Sequence, residues 1–585
     1  MNRLHSNWRQ RLGMLLLAFL SLALISFSSL AGAAPWSFAV FGDQRDANGA
    51  VGINTAVVES MAKDIALNRG VSLVLCGGDQ IHGHTGARQV SLPTAYQNWR
   101  TAMARILNIS YPVRGNHETY GEISTPYYPY YWDTCIAKVL TQIPQNGPDG
   151  EKGMTYSFAN QNALFVGVDQ FVPGNDNRVN QPWLDQQLAA NILPHVFVYG
   201  HLPAVAVDYN LSSLAYHPLQ RDAFWESLGN GGCQVYLTGH SHLYNRATVT
   251  VTDVNGKTTP PITQLIAGGG GGPWSSWDPQ KYYSYQPHGG QPPPPPPESV
   301  TATLDNHLEN KFGYAVVTVD GNQVTITCYA GEPALTPTTW EFYESYSYTV
   351  TSKNLGLKDV SQQIDPQILT DYYPGIAINK IGTGILTLNA GTSPYSGPFT
   401  VSGGTMRVYG IYASAPVSVN SGGTTALYGG SLNNVAVNAG GSLVGNGMVV
   451  GSLTNGGEVS PGLSAGPWNL GVAGSYAQSS AGTLKVNIAS ATEYGQLQVA
   501  GSSGAATLNG IVSVALQNDY EPAAYQLFPN IITASGGLTG AFSQIRVTPE
   551  TPNFHWRPVY TANSFGLQAM PKTIVPELYL LLLQD

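Results

Sequence analysis

Short apolar runs, each closed by glycine and a polar side chain, recur through the first half of the chain. Phe38-Ala39-Val40-Phe41 precedes Gly42-Asp43, and Val71 to Cys76 precedes Gly77-Gly78-Asp79. Tyr111-Pro112-Val113 precedes Gly115-Asn116-His117-Glu118, Val196 to Tyr199 precedes Gly200-His201, and Val235 to Thr238 precedes Gly239-His240-Ser241-His242. Apolar runs of this length, bounded by turn residues, predict buried strands. Helical signals lie between them. Asn54 is placed to cap a helix to about Asn68, with Gly70 stopping it, and Pro182 opens a short helix from Trp183 to Ala190. Strands alternating with helices, with polar loops at the strand C-termini, predict α/β layers. Phe312 to Val319 and Gln323 to Tyr329, hinged at Asp320-Gly321-Asn322, predict a closing hairpin. Gly268 to Gly272 predicts a flexible loop, and Pro292 to Pro297 a polyproline stretch, both excursions within the same domain.

The pattern changes after about Gly331. A Thr-, Tyr- and Ser-rich connector is expected over 336–380. The hundred residues from Ile381 carry only Arg407 and Glu458 as charges, yet regular Val, Leu and Ile positions give them something to bury. Val401-Ser402-Gly403-Gly404-Thr405 returns as Val419 to Thr424 and again as Val437 to Ser442, at steps of eighteen, with Asn455-Gly456-Gly457 slightly early. A period near twenty with paired glycines at corners predicts a β-solenoid over 381–570, each coil burying its face against the next. A Gly-rich β-sandwich is the alternative.

A chain of 585 residues exceeds one core, so two or more domains are expected. Arg3, Arg9 and Arg11, then Met14 to Phe27, then Ala31-Gly32-Ala33, form the three-part layout of a secretory signal peptide over 1–33. A retained anchor is the alternative. Export predicts an oxidising compartment, in which Cys76, Cys135, Cys233 and Cys328 allow two bridges in any of three pairings; a free buried thiol is the alternative for Cys76. A net charge of −9 without Lys/Arg runs argues against nucleic acid as a partner.

The polar ends of the five runs carry candidate chemistry. Asp43, Asp79, Asn116, His201, His240 and His242 supply hard oxygen and imidazole donors without thiolates, a set suited to divalent or trivalent metals. Any of them alone reads as an ordinary turn or loop residue. In this order the first half (35–335) resembles the calcineurin-like metallophosphoesterases, and Asn116-His117-Glu118 with Gly239 to Arg246 is nearest in style to their purple acid phosphatase branch. The resemblance implies an α/β (α+β) sandwich with two central mixed β-sheets flanked by helices, ahead of the all-β solenoid. It also implies two metal ions, Fe, Zn or Mn, side by side. Asp79 would bridge them, with Asp43 and His242 on the first metal and Asn116, His201 and His240 on the second. A hydroxide between the metals would attack phosphorus. His117 would face the substrate as the catalytic group that protonates the leaving oxygen, a task suited to a pKa near neutrality, and Glu118 would orient its neighbours. The C-terminal half resembles the passenger-associated strand repeats of autotransporters, carried by Gly382 to Leu388, Tyr395 to Val401, Ser402 to Val408 and Gly457 to Gly462.

Two departures set expectations of their own. Arg45 stands where many members have a ligand His, and it is a candidate for substrate phosphate. His82 stands where the purple branch has its colour-giving Tyr. A colourless enzyme is therefore expected, with His82 as a candidate fourth ligand of the first metal. The expected function is a secreted or periplasmic phosphomonoesterase acting on a phosphate-ester substrate. A phosphodiesterase or nucleotidase of the same fold is the alternative, and a surface adhesin carrying a phosphatase-like module is the alternative from another class. Contact with a cell surface or matrix is the partner the solenoid suggests. The run Leu578 to Leu583 is too short to span a bilayer, and no long series of alternating strands supports a translocator barrel.

Overall fold

The computed structural model describes residues 34–83, 89–120, 129–208, 213–252, 256–277, 300–331, 339–462, 469–501 and 504–572. The signal-peptide region and the polyproline stretch lie outside them. Among the described residues no helix is long and apolar enough to cross a membrane.

Two mixed sheets face each other in the first half. The strands are β1 (Trp36–Phe41), β2 (Leu73–Gly77), β3 (Ser110–Val113), β4 (Tyr156–Asn160), β5 (Ala163–Gly167), β6 (His195–Tyr199), β7 (Val235–Thr238), β8 (Tyr244–Val251), β9 (Ile262–Ala267), β10 (Val300–Leu308), β11 (Phe312–Asp320), β12 (Gln323–Gly331) and β13 (Trp340–Thr349). One sheet has the order β13-β12-β11-β1-β2-β3, and the other β10-β8-β9-β7-β6-β5-β4. β1 pairs β2 in parallel, Phe38 opposite Leu73, and β2 pairs β3 likewise. β6 and β7 are parallel in the second sheet. Parallel neighbours end on the same side, so the polar residues that follow β1, β2 and β3 emerge at one edge, as do those following β6 and β7. Between the sheets Phe38 packs edge-on against Phe165 and Phe197, at ring-centroid distances of 5.1 and 4.8 Å. Helices α1 (Thr55–Asn68) and α2 (Leu92–Ala102) lie over the first sheet, and α3 (Gln181–Ala190) and α4 (Pro218–Gly231) over the second.

Beyond β13 the backbone coils into two stacks of nine and fifteen strands, parallel throughout except for the C-terminal strands Phe554–Tyr560 and Ser564–Pro571, which pair antiparallel. Phe399, Val417, Val435 and Leu453 align in register, and Val401, Val419 and Val437 form the neighbouring inner row. These side chains are buried, and the glycine pairs sit at the corners between strands. On the outside Asn438 donates to Asn420 at 2.8 Å, one coil of 18 residues away. The parallel stacking identifies a solenoid and removes the sandwich alternative.

The structure corrects three expectations. The connector over 336–380 is instead two things: Trp340–Thr349 is the edge strand of the first sheet, and Ser352–Leu355 already pairs with Ala377–Lys380 as the opening coil. That coil seats on the helix ends of the first half. Buried Lys353 donates from Nζ to the Gly231 carbonyl at 2.9 Å, and Gln362 to those of Ala189 and Asn191 at 3.0 and 3.2 Å. The Tyr373 hydroxyl donates to Ile192, and Lys358 pairs with Asp185 at 3.3 Å. Helix C-terminal carbonyls lack intrahelical donors and attract cations, so the coil caps α3 and α4. Second, all four cysteines are free and buried, and burial pushes the thiols of Cys76, Cys233 and Cys328 up to about 12. Third, Asn54 stands at the N-cap position of α1 without a side-chain cap; its amide nitrogen instead donates to the Gly271 carbonyl at 2.9 Å.

Candidate metal centre

Asp43, Asp79, His201, His240 and His242 are all buried, and Asn116 and His117 are half-buried. Three of the set, Asp43, Asp79 and His240, hold positive φ angles of 63, 53 and 74°. Non-glycine residues rarely adopt this conformation, and such strain collects where surrounding contacts fix a side chain for function. The contacts are visible. Asp43 N donates to Gly78 O at 2.9 Å, Gln44 N to Asp79 O at 2.8 Å, and His240 N to Asp43 Oδ2 at 2.8 Å. The adjoining glycines leave the room that the ligand side chains fill. A Cβ on Gly115 would lie 2.1 Å from Asp79 Oδ1, and one on Gly239 would lie 2.5 Å from Asp43 Oδ2.

Two groups of donor atoms lie near Asp79. In one, Asn116 Oδ1, His201 Nε2 and His240 Nδ1 lie 3.1 to 3.2 Å from one another. His201 Nδ1–H donates to the Gly77 carbonyl at 2.8 Å, which leaves Nε2 as a lone pair aimed at the group. A lone-pair nitrogen and an amide oxygen with at most one proton between the three atoms repel one another until a cation joins them. In the other, His242 Nε2 lies 3.4 Å from Asp43 Oδ1, a buried carboxylate oxygen without a hydrogen-bond partner. Asp79 Oδ1 lies 3.5 Å from His201 Nε2. Asp43, Asp79 and His201 offer ligand atoms within 4.8 Å of one another, a cluster able to hold one metal ion. Donors held about 2.1 Å from a common cation sit roughly 3.0–3.4 Å apart, so both groups have ligand spacing.

Charge follows the same geometry. Burial would raise the Asp79 carboxyl, but His201, His117 and Arg45 outweigh it and hold the group ionised. Burial drives His240 well below the ordinary imidazole range, which keeps it neutral, as a ligand must be. His117 Nε2 is 3.8 Å from Asp79 Oδ2. Burial pushes its imidazole down to about 3 despite Asp79. The near-neutral value expected for a proton donor is thus absent from the free site, because desolvation outweighs the single carboxylate.

Glu118 is buried and accepts from Asp79 N at 2.9 Å, Ile81 N at 3.1 Å and Gly115 N at 2.6 Å. It ties the loop after β2 to the loop after β3, the orienting task expected of it. Behind it Arg114 and Asp169 form a wholly buried pair at 2.5 Å, which the sequence did not single out. Arg45 lies 3.7 Å from Asp79 Oδ2, and its Nη1 is 3.5 Å from His82 Nδ1. The His82 and His117 rings stand 5.2 Å apart. His82 therefore sits beside Arg45 and His117, outside the Asp43–Asp79–His201 cluster.

A family described as calcineurin-like phosphoesterase matches residues 41–244, and one described as passenger-associated-transport-repeat matches residues 378–408. No curated protein matches the chain. Among solved structures, one described as PhoD is 13% identical with a TM-score of 0.38, covering 55% of this chain and 70% of its own. A purple acid phosphatase, PPD1, from yellow lupin (Lupinus luteus) seeds is also 13% identical with a TM-score of 0.38, the match covering 54% of each chain. GAP50, described as the anchor in the inner membrane complex of Plasmodium, is 13% identical with a TM-score of 0.32, over 54% of this chain and 89% of its own. Residues 41–244 thus form a calcineurin-like phosphoesterase domain with a cluster able to hold a metal ion, and residues 378–408 carry a passenger-associated-transport repeat.

Proposed function

We propose that this calcineurin-like phosphoesterase domain is a binuclear phosphomonoesterase, exported from the cytoplasm behind the signal sequence at residues 1–33. What supports the reading is the crowding of Asn116, His201 and His240 donor atoms and of the Asp43–His242 pair near Asp79, with Asp43 Oδ1 buried and without a hydrogen-bond partner. Asn116, His201 and His240 would hold one cation, Asp43 and His242 the other, and Asp79 would lie between them. Fe, Zn and Mn all tolerate these donors. When bound, the cations supply Lewis acidity and positive charge for displacement at phosphorus.

The chain's own groups do the rest. Arg45, held near Asp79 and His82, presents a guanidinium at the edge of the site, where it would bind the phosphoryl oxygens of the substrate. His82 acts behind Arg45 in this reading, which replaces the idea of a fourth metal ligand. His117 is a neutral imidazole in the free site. A phosphate dianion arriving beside it would move its pKa upward and let it carry the proton to the leaving oxygen. Replacing Asn116 would remove one oxygen donor while leaving every charge in place.

The test is turnover of the chain from Ala34 onward on para-nitrophenyl phosphate and on its bis ester, with stoichiometric metal analysis. Two metals per chain, faster monoester turnover, and collapse of both in Asn116→Ala are expected. Faster bis-ester turnover would move the assignment to a phosphodiesterase. The absence of a tyrosinate at the His82 position predicts a colourless protein even when iron-loaded.

A second reading rests on the solenoid surface. Tyr409 and Tyr428 stack at 4.8 Å, and Tyr409, Ile411, Met448 and Val450 are exposed nearby. An apolar patch on a charge-poor rod favours attachment to a cell surface or matrix as a second task of the same chain.

A further inference from the structure

Residues 268–275 follow β9 and contain five consecutive glycines, the segment whose composition predicts flexibility. It is instead strapped down. Gly268 N donates to Leu243 O at 3.1 Å, Gly270 N to Gly42 O at 2.9 Å and Gly272 N to Asp43 O at 2.7 Å. Gly313 N donates to Gly269 O at 2.9 Å, and the Asn54 amide reaches Gly271 O at 2.9 Å. Each contact brings the segment's backbone to a distance that a side chain would prevent.

The contacts of the strap are one-sided. A Cβ on Gly272 would lie 2.8 Å from His242 Nδ1 and Cε1, and one on Gly268 would lie 3.0 Å from Asp43 Oδ2. His242 Nδ1–H donates to the Pro273 carbonyl, which turns Nε2 toward Asp43 Oδ1, 3.4 Å away. His242 N donates to Ser275 Oγ at 3.2 Å, and Ser275 N to His242 O at 3.2 Å. In the other donor group, His201 takes its orientation from Gly77 and Asn116 sits in the loop after β3.

We propose that the strap Gly268–Ser275 is a positioning element for the Asp43–His242 half of the centre, setting the affinity of one cation while leaving the other untouched. The proposal rests on the two-metal reading for its clearest consequence. Groups that orient a metal-bound imidazole through its second nitrogen typically change metal affinity by about 10–100-fold. The strap does this with backbone atoms, so glycine at 272 matters for its absent side chain. Gly272 is free of positive φ, so alanine fits the backbone there and the contact with His242 is isolated.

The experiment is metal titration of the full chain by calorimetry with stoichiometric analysis, for wild type, Gly272→Ala, Ser275→Ala and Ser275→Thr. Gly272→Ala is expected to weaken one of two sites about 10–100-fold and leave the other within a factor of about two. Ser275→Ala should weaken the same site by less, and Ser275→Thr should restore it. Unchanged affinities in both variants, or equal loss at both sites, would overturn the proposal. Histidine-selective 15N NMR of the metal-free protein, assigned with His242→Ala, reads the tautomer directly. The Nδ1-protonated form of His242 should be present in wild type and lost in Gly272→Ala. Its persistence would overturn the proposal even if wild type took up a single cation, an outcome that would instead sink the two-metal reading.

Discussion

Both halves of the molecule bury polar side chains, and they finish the task differently. In the solenoid every buried donor or acceptor of the Asn455–Gln478 group finds a partner. The Asn455 amide donates to the Tyr476 hydroxyl at 3.1 Å and Thr483 O at 3.0 Å, and the Gln478 amide donates to Gly482, Asn509 and Ile511 carbonyls at 2.8 to 2.9 Å. Lys380 Nζ donates to three carbonyls, of Ile381, Gly382 and Gly403. In the sandwich, Asp43 Oδ1 is buried without a hydrogen-bond partner, and Asp43, Asp79 and His240 hold strained backbones. A satisfied network closes a corner and is complete. Single unpartnered atoms occur in the solenoid too, at Thr425 Oγ1 and Asn446 Oδ1. What sets the centre apart is that an unpartnered carboxylate oxygen, strained backbones and several imidazoles converge at one place, an arrangement suited to a ligand.

Substitutions can break this contrast, beginning with the largest effect. Asp79→Ala should reduce phosphoesterase turnover about a thousandfold and abolish metal uptake, while the metal-free protein melts only slightly lower, because the cost of burying the carboxylate is lost together with its contacts to Arg45 and the His117 N–H. A large fall in melting temperature would show that Asp79 serves the fold. Leu453→Ala in the inner row of the solenoid should do the opposite, costing about 2–5 kcal/mol by denaturant titration and leaving turnover per folded molecule unchanged.

The junction between the halves sharpens the contrast further. Lys353 is buried against Gly231 O, and burial lowers its pKa to about 7, with Cys233 pulling weakly the other way. The buried His195 also feels the Lys353 charge. The unfolded chain binds this proton up to about pH 10.4 and the folded chain releases it near 7, so stability should rise as pH climbs through that window, by on the order of a few kcal/mol. Melting temperatures from pH 6 to 10 should show this rise in wild type and a flatter profile in Lys353→Met. Smaller again, Asn455→Ala should cost about 1–3 kcal/mol by stranding Gln478 and the Gly457 amide, with no change in metal content. A loss of metal there would join two regions that the geometry keeps apart.

Much of the centre was legible along the chain. Asp43, Asp79, Asn116, His201, His240 and His242 each follow an apolar strand and a glycine, and strands that run parallel must deliver their C-terminal loops to one edge. The valine rows of the solenoid were legible for a similar reason, since a repeat of eighteen residues is a local property of sequence. The strap, the Arg114–Asp169 pair and the place of His82 were hidden because each depends on a partner more than thirty residues away. Five glycines read alike whether they swing free or lie flat against Asp43 and His242.

The sequence by itself determined the kinds of donor, their order, and the coil period, because residue type and periodicity are written locally. Only the tertiary structure decided which lone pairs face one another, which cysteines stay single, and where the first coil seats. Those outcomes depend on distances and burial, and these exist only once two sheets and a rod have packed.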